Sequence, residues 1–139
     1  MRETLHYLGF KTNADNNLES NTDYKIIIEI DKTDFLKSKI NYGSEIVVHN
    51  KSTSNLKKQE NLVVLECVLR LLKKGYPPKL IELEKTWPSG HGTSGRLDIL
   101  LRDKSKHTFA MIECKTWGEE YVKEKANTIE DGGQIFSYC

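Results

Sequence analysis

Two carboxylates and a lysine in the second half of the chain have the residue types and spacing of a metal-dependent hydrolytic site. Glu113-Cys114-Lys115 follows the apolar residues 109–112, and Asp98 lies fifteen positions before Glu113. A strand over residues 108–115 would place Glu113 and Lys115 on one face, because side chains alternate along a strand. Carboxylates beside a lysine suit a hard divalent cation, which polarises a phosphoryl oxygen and lowers the pKa of a bound water. The lysine would orient that water or offset charge on the phosphorus.

A hairpin would bring these groups together. Residues 96–102 predict one strand, residues 108–115 predict a second, and the polar residues 103–106 predict the loop between them. Antiparallel pairing of the two strands would return Asp98 to the side of Glu113. The sequence therefore predicts a phosphodiester-hydrolysis site at this hairpin.

The tripeptide pattern of an acid, any residue and a lysine is weak evidence by itself, because the chain contains it twice. The second copy, Asp23-Tyr24-Lys25, precedes its apolar run and is best interpreted as the solvated entrance of a strand. For Glu113 and Lys115 the alternative is a surface ion pair at a strand end. The upstream Asp98 favours the functional interpretation.

Composition indicates one ordinary globular domain. The chain has 139 residues, of which 37% are hydrophobic and 29% are charged. No segment approaches the roughly 18 apolar residues of a membrane span, and the first residues lack a signal-peptide apolar region. The expected location is cytoplasmic and the expected partners exclude a membrane. The cysteines Cys67, Cys114 and Cys139 are odd in number and lack metal-ligand spacing, which predicts free thiols of a reducing compartment.

The net charge of +1 is low for a domain that grips DNA alone. Either the basic side chains are gathered on one face, or another domain holds the DNA. We expect the second arrangement. Residues 130–139 predict a helix that starts and stops without a capping signal, which indicates a fragment of a longer chain.

Hydrophobic patterning predicts an α/β (α+β) fold. Apolar residues recur at spacings of three and four over residues 56–74, which predicts a helix ended by Gly75. Glu60 and Glu66 lie at the edges of its apolar face. A short helix and three further strands are predicted at residues 4–8, 24–30, 44–49 and 79–84. We divide the chain into an amino-terminal leader, residues 1–50, packed on or extending the core, and a domain with the site, residues 51–139.

Several of these features occur in a specific order over about residues 58–139. The series consists of Glu60, the helix to Gly75-Tyr76-Pro77, Ile81-x-x-Glu84, Arg96-Leu97-Asp98-Ile99, Glu113-x-Lys115 and Gln134-x-x-x-Tyr138. In this order they resemble the amino-terminal nuclease domain of type I restriction enzyme R subunits, a branch of the PD-(D/E)XK nuclease superfamily. Leu97 stands where the family has proline, a residue that sets backbone shape and binds no metal.

The resemblance implies a restriction-endonuclease-like fold, a mixed β-sheet flanked by helices, that cleaves double-stranded DNA with Mg²⁺ or, in its place, Mn²⁺. It implies that Asp98 and Glu113 bind the metal, that Glu60 lies near it, and that Lys115 is the catalytic lysine. Gln134 and Tyr138 would form an accessory motif on one helix face. The implied partners are the helicase or translocase, methyltransferase and specificity parts of a restriction system.

Two other functions remain open at this stage. A catalytically silent DNA-binding or docking module would retain the fold without cleavage, although the acids and the lysine are all present. A stand-alone nuclease such as a junction resolvase would generally be a basic dimer, which the composition does not support.

Overall fold

The computed structural model describes residues 1–88, 94–119, 121–123 and 125–126. These residues form two four-stranded β-sheets together with α-helices, which confirms the predicted mixture of α and β structure. The named helices are α1 (Arg2–Tyr7) and α2 (Gln59–Lys73). Residues 119, 121–123, 125 and 126 are also helical.

The first sheet is a small antiparallel meander. Its strands occur in the order β1 (Lys11–Thr12), β2 (Leu18–Glu19), β3 (Ile27–Glu29) and β4 (Lys39–Asn41). The Asn13 side chain accepts hydrogen bonds from the N–H groups of Asp15 and Asn17, which closes the turn between β1 and β2. The strand predicted over residues 24–30 is therefore present but shorter, because its neighbours pair with it over only two or three residues.

The second sheet is mixed and contains the candidate site. Its strands, in spatial order, are β5 (Val47–Val48), β6 (Ile81–Pro88), β7 (Ser94–Arg102) and β8 (Thr108–Ile112). β5 is parallel to β6, and the other pairs are antiparallel. β5 belongs to the first 50 residues, so the leader region supplies a strand to this sheet.

One hydrophobic core joins the leader to the second sheet. The helix α2 buries Val64, Leu65, Val68 and Leu69 against strand residues of that sheet, and Leu5 and Phe10 from the leader join the same cluster. Gly75 ends the helix with a φ of +82°, which glycine adopts without strain. In the described part of the chain, no helix is both long and apolar enough to cross a bilayer.

A tight turn joins β7 to β8, as the sequence predicts. The Asp103 carboxylate accepts hydrogen bonds from the N–H groups of Ser105 and His107, and Lys106 adopts a positive φ of +68°. The pairing of Ile99 with Ile112 fixes the register of the two strands. Continuing that register by one residue places Asp98 opposite Glu113.

Candidate active site

Three elements converge on the predicted site. Asp98 lies in the middle of β7, Glu113 and Lys115 directly follow β8, and Glu60 lies in the first turn of α2. β8 ends at Ile112, three residues before the end of the predicted strand. Glu113 and Lys115 nevertheless contact each other, and the four predicted residues within the described chain lie around one point.

Asp98 is a buried carboxylate, only 6% exposed. Its Oδ2 accepts a hydrogen bond of 2.7 Å from the backbone N–H of Cys114, which ties the segment after β8 to β7. Burial raises the pKa of Asp98 to about 6, and the Cys114 hydrogen bond opposes that increase. Negative charges nearby raise the pKa as well: Glu113, Glu60 and Glu84.

Lys115 is the cation at the centre of the site. Its Nζ lies 2.8 Å from Oε1 of Glu113 and 3.6 Å from Oε1 of Glu60. Burial lowers the pKa of Lys115, but the surrounding carboxylates outweigh burial and raise the pKa to about 12. Lys115 is therefore positively charged at neutral pH and cannot accept a proton there.

Of the two acids on the edges of α2, Glu60 is the one that contacts this site. Glu66 instead accepts two hydrogen bonds from Arg70, one turn along the helix. The residue after Glu60, Asn61, is 2% exposed and donates hydrogen bonds to the carbonyl groups of Ser52 and Asn55. These bonds fix the first turn of α2, and with it the position of Glu60.

Glu84 is a further site residue to which the sequence assigned no role. Its side chain is fully buried, and its backbone φ is +56°, a conformation that costs a residue with a Cβ about 1–3 kcal/mol. Leu83 pairs with Ile99 and Lys85 pairs with Leu97, so Glu84 and Asp98 face each other across β6 and β7. The charge of Glu84 accordingly contributes to the raised pKa of Asp98.

Two side chains hold Glu84 in place. Its Oε2 accepts hydrogen bonds from the Ser52 hydroxyl at 2.8 Å and lies 2.7 Å from Nε of Arg96. Its Oε1 is buried and has no hydrogen-bond partner among the described residues. The sequence contains this acid in the motif Ile81-x-x-Glu84. Its place beside Asp98 depends on the register of β6 on β7, two strands that are separated by a loop.

Cys114, between the two key residues, points into the core. It is 4% exposed and forms a side-chain contact with Cys67 on α2, a contact that lowers the pKa of Cys67 to about 7. Both cysteines are free thiols. The alternation predicted for this segment is thus observed, with the Cys114 thiol inward and the Glu113 and Lys115 side chains paired with each other.

The chemistry of the site fits a hard divalent cation. Among the described residues, four carboxylates, Asp98, Glu113, Glu60 and Glu84, lie close to only two cationic side chains, Lys115 and Arg96. We call these four carboxylates the acid cluster. Its oxygen donors are those that Mg²⁺ and Mn²⁺ prefer, and the excess negative charge and the raised pKa of Asp98 both favour a bound cation.

In this conformation the carboxylates do not form a ligand set. No three Asp, Glu, His or Cys side chains in the described ranges are arranged to hold a metal ion. Instead, the Lys115 ammonium contacts both Glu113 and Glu60. Metal binding would thus require Lys115 to leave at least one of these carboxylates.

The accessory motif cannot be placed. Gln134 and Tyr138 lie outside the described residues, as does the glycine-rich segment 89–93.

The chain matches no protein-family model, no curated protein and no solved structure.

Proposed function

We propose that this chain carries the active site of a Mg²⁺-dependent DNA endonuclease of a restriction-modification system. One observation carries the proposal: three separate parts of the sequence, Glu60, Asp98 and the Glu113–Lys115 segment, lie together where β8 ends beside the middle of β7. The resemblance to type I restriction nuclease domains rests on the ordered series that contains these residues, and it supplies the substrate class.

Asp98 and Glu113 would hold the metal ion, with Glu60 beside it. When bound, Mg²⁺ would polarise a phosphoryl oxygen and make a bound water more acidic. Asp98 suits this role because it is held rigidly by the Cys114 N–H and carries an ionised carboxylate that burial makes costly. A cation would relieve that cost once Lys115 had left at least one of the carboxylates that it contacts.

Lys115 would act as a fixed positive charge. Because its pKa is about 12, it cannot serve as the general base. Its ammonium can contact a phosphate oxygen and stabilise negative charge that develops there during the reaction. Glu113 and Glu60 hold the ammonium in the metal-free site, and Lys115 would keep at most one of these contacts once a metal is bound.

The reaction is a simple hydrolysis. The oxygen of water forms a bond to phosphorus while one phosphorus–oxygen ester bond breaks. One proton of that water ends on the departing alkoxide oxygen, so the products are a phosphomonoester and a free hydroxyl group. No oxidant, reductant or covalent intermediate with the protein is required.

The partners and the location follow from the same proposal. Double-stranded DNA is the substrate, and the helicase or translocase, methyltransferase and specificity parts of a restriction system are the further partners. Such systems act on DNA inside the cell, and the free thiols Cys67 and Cys114 suit a reducing cytoplasm.

A second function is favoured by a specific contact. The Lys115 ammonium already pairs with Glu113 and Glu60. It therefore neutralises part of the negative charge of the acid cluster without a metal. A catalytically silent DNA-binding or docking module with this fold would have the same contacts between Lys115 and the carboxylates. Metal binding separates the two functions, because a silent module needs no divalent cation.

Cleavage of duplex DNA by this protein, assayed together with the other parts of the proposed restriction system, tests the proposal. We expect Asp98→Asn and Lys115→Met each to reduce Mg²⁺-dependent cleavage of duplex DNA by about a hundredfold or more. Lys85→Met is a matched control, because Lys85 lies on β6 and contacts Glu82 at 3.9 Å, outside the acid cluster. Wild-type rates in the Asp98 or Lys115 variant would reject the assignment.

A further inference from the structure

A second charged surface lies next to the acid cluster. It is a groove of about 850 Å³, lined by β4, by the 3₁₀ turn Lys51–Thr53 and by the segments that follow them. Four lysines supply its positive charge, and we call it the lysine groove: Lys37, Lys39, Lys51 and Lys57. Two acids, Glu29 and Asp31, also line it, which leaves an excess of positive charge.

The lysines are available to an anionic ligand. All four are exposed. Lys37 has a long ion pair of 4.0 Å with Asp34, whereas Lys39, Lys51 and Lys57 form no ion pair within the described part of the chain. Hydrated ammonium groups without a fixed partner suit phosphate oxygens.

The two acids of the groove are engaged by their own neighbours. Glu29 accepts a hydrogen bond of 2.9 Å from the Asn41 side chain. The Asp31 carboxylate accepts hydrogen bonds from the hydroxyl and N–H of Thr33 and from the N–H of Asp34, and these bonds lower the pKa of Asp31 to about 2. Neither acid forms an ion pair with the groove lysines among the described residues, although the charge of Lys37 also contributes to the lowered pKa of Asp31.

The wall of the lysine groove is joined to the acid cluster. Ser52, in the turn between Lys51 and Thr53, donates its hydroxyl hydrogen bond to Glu84. Asn61, which follows Glu60, donates to the Ser52 and Asn55 carbonyl groups. The turn that lines the groove is therefore hydrogen-bonded to Glu84 of the acid cluster and to the residue that follows Glu60.

We propose that the lysine groove binds the phosphate backbone of duplex DNA whose scissile phosphate lies at the acid cluster. The identity of the partner rests on the proposed function. Several separate point charges along an open groove suit a chain of phosphates better than a single compact anion. Such contacts position a duplex without reading its sequence. The lysine groove thus supports the arrangement that the sequence analysis did not favour, in which a chain with a net charge of +1 gathers basic side chains in one place to hold DNA.

The test is the salt dependence of DNA binding by the 139-residue chain. Binding of a short fluorescent duplex is followed by anisotropy in EDTA, over a series of KCl concentrations. Replacing Lys39, Lys51 and Lys57 together by alanine should weaken binding by about tenfold or more. The slope of log K against log salt should fall by up to about 2.7, at about 0.9 for each lost phosphate contact.

A matched triple variant controls for net charge. Lys73, Lys79 and Lys104 are exposed lysines outside the groove. Their replacement by alanine removes the same charge and should leave most of the affinity and slope in place. Single replacements of Lys51 or Lys57 by glutamine, each lowering the slope by about 0.9, keep the test valid should the triple variant unfold.

The outcomes separate this inference from the proposed function. Equal losses in the two triple variants, or no duplex binding by the wild type, would overturn the lysine groove as a DNA site. Tighter binding of an RNA duplex than of DNA would overturn the choice of DNA. Binding through the groove without any Mn²⁺ site at Asp98 and Glu113 would instead preserve the groove and overturn the nuclease.

Discussion

Replacing Asp98 by asparagine should stabilise the metal-free protein. Asparagine has nearly the same size and retains an oxygen that can accept the Cys114 N–H, but it carries no charge. The wild-type carboxylate is buried near Glu113, Glu60 and Glu84, and its pKa is about 6. The charged form is therefore less favourable in the folded protein than in the unfolded chain.

The size of the effect follows from the pKa. An unfolded Asp has a pKa of about 3.9, so a folded value of about 6 corresponds to roughly 3 kcal/mol against folding once Asp98 is ionised. We expect Asp98→Asn to recover about 2–3 kcal/mol at pH 7, or on the order of 10 °C in Tm. The gain should be absent below about pH 4, where Asp98 is protonated in both states, and should grow up to about pH 6.

Urea unfolding in EDTA, followed by circular dichroism from acid to neutral pH, measures this difference. Asp15→Asn is the control, because Asp15 is exposed and its removal should change stability by less than about 0.5 kcal/mol. An Asp98→Asn protein that is no more stable than the wild type at pH 7 would show that the buried charge of Asp98 does not destabilise the fold. So would a gain that does not depend on pH.

Two further predictions concern the scaffold. Gly43→Ala should lower the free energy of unfolding by about 2 kcal/mol or more, because Gly43 has a φ of +76° and a Cβ there would collide with the Tyr24 hydroxyl. Chemical denaturation measures this free energy. A Gly43→Ala variant as stable as the wild type would contradict the prediction. Burial raises the pKa of Glu82, but hydrogen bonds from Arg102 and His49 lower it below its usual value overall. Glu82→Gln should therefore destabilise the protein by about 1–3 kcal/mol at neutral pH. The difference in unfolding free energy between the variant and the wild type should shrink as the pH falls below about 4. A difference that does not depend on pH would contradict this prediction.

The sequence predicted the elements whose patterns are local. The apolar stripe of α2, the turn at Asp103 and the alternation around Glu113 depend on neighbouring residues, and all three are present. Pairing of β7 with β8 then places Asp98 beside Glu113. That part of the candidate site follows from strand periodicity and one short turn.

The remaining features depend on long-range packing. Glu84 reaches the site through the register of β6 on β7 and an unusual backbone φ, which no local pattern indicates. The lysine groove combines β4 with the Lys51–Thr53 turn, two segments that the sequence assigned to different regions. The contact of Lys115 with both Glu113 and Glu60 likewise requires the position of α2 over the sheet.

Calorimetric titration with Mn²⁺ at neutral pH tests whether the acid cluster is a metal site. We expect the wild-type chain to bind Mn²⁺ and Glu113→Gln to remove this binding. Asp103→Asn, which alters a carboxylate in the β7–β8 turn outside the acid cluster, should retain it. No binding by the wild type, or equal binding by the Glu113 variant, would contradict a metal-dependent nuclease site and would favour the silent module.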